Sequence, residues 1–561
     1  MKSYKGLNTT DLLNSNFNFS TENLANLTNW WTELESQDPV RLAVELSSAL
    51  RKVSKTNIQD DKCLHLLRAI RPHFEFVNNA FEHEKVGQVL PIPASAHQVL
   101  RRTQRLNLDF AIACQKICIH KLRIGRTAMT ATPEADLAFY WCFDAMSRYL
   151  YVTLTAYQLP IANFWRTLHK VFIGAQALNL VSLSGGSSKP NRSVGRNILR
   201  EYKRVILFGL CDPYRLPYGD AKIIFRNLRH WSESVLLTRD ADFTDTECKF
   251  YIDPTHGYPA IPVLPHTEAK ELTKRLLLDT RLLVSMFRRN LQELCIEVLN
   301  TDHASLRSEK LAQVEFHKAL VVKWGMHPLR TNQRLQRNTR CKVVTGFDAI
   351  RKVLIERDYA KTTNFNRRRS PAAADAMGSL FSGNGREILD WQIADTSVHG
   401  YRLKAPQDME KKISVGELIA MFSQDTGNEW VVGLVRWAKT GQPSDDIEVG
   451  VYRLGSIAWS AGISRLVGKA DITGGNTDDA ICIENPESED RRLSIVTERG
   501  FYKPLRRIQL LFSDQEQNIS ATHLLLSTPF FDWFACGEKN QQSEDSMIAT
   551  LADVAFTRLE V

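Results

Sequence analysis

What the sequence lacks narrows its chemistry first. Its ten cysteines are scattered over 561 residues without a Cys-x-x-Cys pair, so neither a zinc ribbon nor a dithiol redox centre is written into it. Cys114 and Cys118 stand four apart and would share a helix face. Two thiols without neighbouring histidine or further cysteine fall short of the ligand set of a structural zinc, and reduced, structural cysteines in a cytosol are the expectation. The longest uncharged apolar run, residues 149–165, is broken by Gln158 and Pro160 and falls short of the ~20 residues that cross a bilayer. The opening stretch MKSYKGLNTTDLLNSNFNF carries basic residues with no apolar run behind them, so no secretory signal and a cytoplasmic location are expected.

Catalytic signatures are absent too. There is no HExxH and no G-x-S-x-G, and no pair of carboxylates sits on a helix at metal-binding spacing. The one passage resembling a phosphate loop, SLSGGSSKPNRSVG at 182–195, has Lys189 followed by Pro190 where a Walker loop needs Ser or Thr opening a helix. It reads as a surface loop. The sequence therefore predicts a non-enzyme without metal or cofactor.

What is present describes a multi-domain globular chain. With 43% hydrophobic and 24% charged residues the composition is ordinary for folded proteins, and the length suggests roughly three to four domains. From about residue 20 to 320 the patterning is helical. DLAFYWCFDAMSRYLYVTL, NFWRTLHKVFIGAQALNLV, EAKELTKRLLLDTRLLVSMFRRNLQELCIEVL and SLRSEKLAQVEFHKALVV repeat apolar residues at three and four. Thr132-Pro133-Glu134 has the form of a helix start. After about residue 340 the period shortens: DWQIADTSVHGYRL, VGELIAMFS, EWVVGLVRWAK, DIEVGVYRLG and RIQLLFS are short, alternating or apolar, and bounded by turn residues. The polar KADITGGNTDDA marks a break near residue 473. The expected fold is multi-domain α+β. A helical body spans 1–320, in halves divided near 182–195. A β-barrel spans 328–470 with a polar insertion at about 358–385, and a β-rich segment covers 475–561.

Charge is concentrated at the junction. Between Val321 and Arg369 thirteen basic residues face three acidic ones, a net of +10, whereas the whole chain carries +9; everything outside this window sums to −1. Nine of the thirteen are arginines, whose planar fork captures phosphate oxygens bidentately and stacks on bases. Alone, such a run is more often a solvated basic face.

A motif changes that weighting. Asp395-Thr396-Ser397-Val398-His399-Gly400 has the form Asp-x-Ser-x-x-Gly at the end of the apolar ILDWQIA. Asp and Ser supply acceptors, and a Gly that tolerates positive φ allows a tight turn. His399, inside the turn, has no recognisable partner for acid–base work. Followed by GYRLKAP, SVGELIAMF, EWVVGLVRWAK and IEVGVYRLG, the order of motifs over about residues 328–460 resembles the PilZ family. The resemblance implies a small antiparallel barrel that binds cyclic di-GMP, with arginines ahead of the barrel on the phosphates and guanines, and the Asp, Ser and Gly of the turn on a guanine. On that footing Asp395 and Ser397 contact the base and Gly400 permits close backbone approach. Arg334, Arg337 and Arg340 of RLQRNTR are preferred for the phosphates, because RCKVVTGFDAI after them reads as the first strand. Their three-residue spacing departs from the family's Arg-x-x-x-Arg. Arg367, Arg368 and Arg369 lie nearer Asp395 in sequence and are the second choice. Arg436, in VGLVRWAK, is a further candidate; Trp437 beside it reads as barrel core.

The reading implied by the resemblance is a cyclic di-GMP receptor. In it, binding changes a protein–protein contact made through the helical body, in motility, surface attachment or biofilm control. Two alternatives stand beside it: a degenerate barrel serving only as a protein scaffold, and a nucleic-acid binder using the basic 321–369 segment.

Overall fold

A computed structural model of the chain describes residues 38–55, 59–128, 132–181, 183, 198–239, 246–265, 267, 275–325, 333–366, 388–441, 446–467, 472–473, 477–484, 493–512, 515–537 and 551–552. The helical body comprises α1 (Pro39–Lys55), α2 (Asp60–Phe81), α3 (Ala94–Ala128), α4 (Pro133–Thr155), α5 (Phe164–Ala177), α6 (Ile198–Leu210) and α7 (Asp220–Trp231). α4 is its axis. Thr132 Oγ1 accepts the Ala135 N–H at 3.2 Å, Pro133 occupies the first turn, and Glu134 and Asp136 face the positive helix end. Nearly every residue from Ala135 to Leu154 is buried, as expected of a helix apolar on all sides.

The structure departs from the all-helical expectation between α7 and the next helix. β1 (Leu236–Thr238), β2 (Lys249–Ile252), β3 (Ile261–Pro262) and β4 (Leu276–Asp279) form a sheet in the order β1-β4-β2-β3. Within the run read as one helix from 268 to 299, the described residues form a strand, β4, followed by α8 (Arg281–Leu299). All four residues of β4 are buried between neighbours, and a short continuous apolar run fits a central strand as well as a buried helix. The chain then turns at Asp279, whose carboxylate accepts the Arg281 N–H at 3.0 Å and so starts the helix. α9 (Ala304–Gly325) closes the hairpin.

Next comes a closed six-stranded antiparallel barrel made of β5 (Leu335–Thr345), β6 (Leu389–Ser397), β7 (Gly400–Ala405), β8 (Leu418–Phe422), β9 (Val431–Lys439) and β10 (Ile447–Arg453), in the order β10-β7-β6-β5-β8-β9. Where a polar insertion was expected from 358, a helix, α10 (Phe347–Asn366), begins eleven residues earlier. Gly346, at φ 89°, turns the chain out of β5. Ile350, Val353 and Leu354 then make one apolar helix face.

The β-rich end is a second closed barrel, and it begins earlier than residue 473. β11 (Ile457–Val467), read as part of the first barrel, instead pairs with β12 (Ile472–Thr473), β13 (Asp478–Glu484) and β15 (Arg507–Phe512). With β14 (Leu493–Glu498), β16 (Gln515–Ser527) and β17 (Phe531–Gly537) it closes the cycle β11-β13-β14-β17-β16-β15. Numbered by order of appearance, and setting aside the two-residue β12, both barrels have the cyclic order 1-2-3-6-5-4.

Three contacts tie the units together. Leu90 and Ile413 exchange backbone hydrogen bonds at 2.8 and 2.9 Å, and Thr440 N–H donates to Tyr157 O at 2.9 Å, so the first barrel rests on the helical body. The barrels meet through Trp430, Val432 and Leu434 of the first against Ile481, Ile483, Phe531 and Trp533 of the second, with α10 in the same cluster. The α8–α9 hairpin packs Leu291, Cys295, Leu311 and Val314 into the second barrel's core. Arg307, 1% exposed, donates from Nε to Tyr502 O at 3.0 Å there. Among the described residues no helix is long and apolar enough to cross a membrane.

Candidate functional site

The charged motif gathers at one end of the first barrel. There β5 and β7 begin and β6 and β10 end. Leu335 pairs with Thr396, Gln336 with Asp395, Asp395 with Arg402, and Ser397 with Gly400. Because side chains alternate along a strand, Tyr401 and Leu403 point into the core while Arg402 between them lies on the outer wall. A register shift at Ile393/Asp395 puts Asp395 on that wall as well.

Asp395 is the centre of the arrangement. Its side chain is only 3% exposed, and Oδ1 accepts from Arg334 Nη1 at 2.7 Å. Its Oδ2 lies 2.6 Å from Arg402 Nε, in ion-pair contact. Arg402 Nη1 in turn donates to Glu448 Oε1 on β10 at 3.4 Å. A carboxylate this buried needs such partners, since an isolated charge leaves water at a cost of several kcal/mol.

The other expected arginines behave differently from one another. Arg337 sits at a bulge in β5 between Gln336 and Thr339, and its Nε lies 3.2 Å from Asp425 Oδ1, just beyond β8. Bulges commonly re-aim side chains beside functional sites. Arg340 is exposed, with no ion-pair partner among the described residues. Arg367, Arg368 and Arg369 lie outside the described residues. Arg436 belongs elsewhere on the barrel. Burial lowers the pKa of Lys323 on α9, opposed by Asp212, with Arg215 and Arg436 adding to the fall; this places Arg436 toward the helical body. Trp437 is half-buried on the outer wall rather than in the core, its indole lying where a side chain on Gly450 would be.

The turn itself is held in two ways. Ser397 Oγ donates to Gly400 O at 3.3 Å, and Arg453 N–H donates to His399 O at 2.9 Å. His399 is exposed, as a turn histidine is expected to be. Gly400 does not adopt the positive φ that its place in the motif suggested. It begins β7, and a Cβ there would run into the carbonyl oxygen of Val451. The glycine is required by strand-to-strand approach within the barrel, not by a left-handed turn.

Sequence reasoning missed Arg402 and Arg453. Arg453 ends β10 close to Tyr401, whose pKa burial raises and Arg453 lowers. Strand alternation after Gly400 was the available signal for Arg402, because it sets the side chain on the same wall as Asp395. Arg330 was also passed over. With Arg334 it has the Arg-x-x-x-Arg spacing that RLQRNTR lacks, although Arg330 lies outside the described residues. The 55-residue interval from Arg340 to Asp395 is accounted for by α10 and the chain after it, inserted between the first two strands. Among the described residues no cluster of His, Cys, Asp and Glu could hold a metal ion.

Comparison with known proteins gives two family matches. Residues 25–242 match the family described as "Cyclic-di-GMP receptor FimW, N-terminal domain". Residues 351–456 match "Cyclic-di-GMP receptor FimW, middle PilZ domain". The second match starts within α10, so β5 and the arginines before it precede it. The second barrel, from residue 457, lies beyond both. No curated protein matches the chain.

Proposed function

Because the first barrel places this chain in the PilZ domain family, we propose that the chain is a cyclic di-GMP receptor and that the messenger docks on the outer wall at the Asp395 end of that barrel. The carrying observation is the Arg334–Asp395 contact at 2.7 Å. It joins residues 61 apart in sequence, and sets an arginine from the segment ahead of the barrel on the carboxylate of the Asp-x-Ser-x-x-Gly turn. Arg334 and Arg337 offer forks suited to the two phosphates, while Asp395 and Ser397 offer acceptors for a guanine edge. Gly400 serves the site through the barrel's geometry. The arginines already stand on this wall without ligand, and the messenger shifts their contacts from protein carboxylates to its phosphates.

The same geometry supports coupling to the helical body. The helix α9 ends at Gly325, shortly before Arg334, and is anchored on both sides. Lys323 Nζ donates to Asp212 Oδ2 at 3.0 Å and Trp324 Nε1 to Leu207 O at 3.2 Å, while Leu311 and Val314 reach the second barrel. A pull on the arginine segment bears directly on that helix. The output is a changed surface for a protein partner, in motility, surface attachment or biofilm control, in the cytoplasm and without catalysis. Titration calorimetry with cyclic di-GMP at two ionic strengths tests the binding step. Two phosphates give a shallow dependence on salt, whereas a nucleic-acid site loses affinity steeply and linearly in log salt; the latter result, or no binding, rejects the reading.

A further inference from the structure

The buried Asp395 has two cations, and they are mounted differently. Arg402 sits within β7, paired on one side with Asp395 and on the other with Gly450 of β10, and its guanidinium is shared between Asp395 and Glu448. Its place is fixed by the closed barrel. Arg334 stands just ahead of β5, and its side chain is 26% exposed. If both arginines were needed to neutralise Asp395, neither could leave for a ligand phosphate without stranding a buried charge, which costs several kcal/mol.

We infer that Arg402 is the standing counter-ion of Asp395, a positioning residue that frees Arg334 to exchange from the carboxylate to a phosphate when the messenger binds. The inference rests on the receptor reading above. In the free protein Asp395 stores Arg334 at the site; in the complex Asp395 keeps Arg402 and stays ionised and aligned toward the base. Arg402 Nε, buried and 2.6 Å from Oδ2, makes no directed hydrogen bond. Its contact with Asp395 can therefore tighten when Arg334 departs. Without Arg402, Arg334 becomes the only cation on Asp395 and is held back from the ligand.

The test is a mutant cycle read by calorimetry with cyclic di-GMP on the full chain. Arg402→Met is expected to bind at least tenfold more weakly than wild type and Arg402→Lys within about threefold, since a charge restores the standing partner. The distinguishing result is epistasis: Asp395→Asn, weakening in the wild type, should cause no further loss in the Arg402→Met background, because a neutral side chain no longer holds Arg334. A purely structural role for Arg402 would give losses that multiply. Should Arg402→Met fail to fold, Arg402→Gln replaces it in the same cycle. Wild-type binding together with an Arg402→Met or Arg402→Gln variant that is folded and binds within threefold of wild type, or with multiplying losses, overturns this inference alone. Absence of binding by the wild type overturns the receptor reading with it.

Discussion

The two barrels share a strand order and differ in what they put on one wall. Counted from the first residue of the first strand, Leu335 and Ile457 correspond, so Asp395 of the first barrel corresponds to Ile483 of the second. The cross-strand partner Arg402 corresponds to Ser494, and Arg334 to Ser456. In the first barrel this wall is a buried carboxylate between two arginines. In the second, Ile483 is 1% exposed and packs against the first barrel. One fold thus supports either a polar recognition wall or an apolar joint, and the choice lies in a few side chains rather than in topology.

The largest effect that could break this comparison is loss of the arginines. Replacing Arg334, Arg337 and Arg340 by Ala together should weaken cyclic di-GMP binding by at least about a hundredfold, each charge-assisted contact being worth about 1.5–3 kcal/mol. Calorimetry reads this directly, and binding within threefold of wild type would remove the arginines from the site. Next is the reverse experiment on the joint. Ile483→Asp puts a carboxylate where the second barrel offers Ser456 and Ser494 instead of arginines, and should destabilise the chain by about 3–5 kcal/mol, measured by denaturant unfolding. An unchanged midpoint would mean that the two walls are not equivalent environments.

Smaller, but more specific to the motif, is the double change Asp395→Ala with Ser397→Ala. Affinity should fall at least tenfold, because hydrogen-bond partners left unpaired cost about 1–3 kcal/mol each; circular dichroism checks that the barrel survives. The smallest effect is expected from Arg367, Arg368 and Arg369. Changed together to Ala they should alter affinity less than about threefold, through a field that salt screens over ~8 Å. Equal losses from both arginine triplets, each erased by moderate salt, would point to a diffuse basic face.

Much of this was legible in the sequence, for identifiable reasons. The barrel strands announced themselves by short period and turn residues, and Thr132-Pro133-Glu134 marked the start of α4 because capping is a local interaction. Local pattern failed where the deciding contact is distant. LLLD at 276–279 is a strand because neighbouring strands bury it on both sides, which no period within the segment shows. Gly400 is required by the Val451 carbonyl, 51 residues on in the sequence. Arg402 was missed because its partner is across a hairpin, and pairing register follows from the closed sheet. The second barrel was read only as a β-rich segment. Its likeness to the first is in the pairing order, which side chains of quite different character preserve.

The central claim, that the Asp395 wall of the first barrel receives the messenger on its arginines, is tested most directly by titrating the full chain with cyclic di-GMP beside its Arg334→Ala, Arg337→Ala, Arg340→Ala variant. The account predicts saturable heat of binding with the wild-type chain, a shallow dependence on salt, and no measurable binding by the variant. Heat of equal size from both proteins, or none from the wild type, would contradict it.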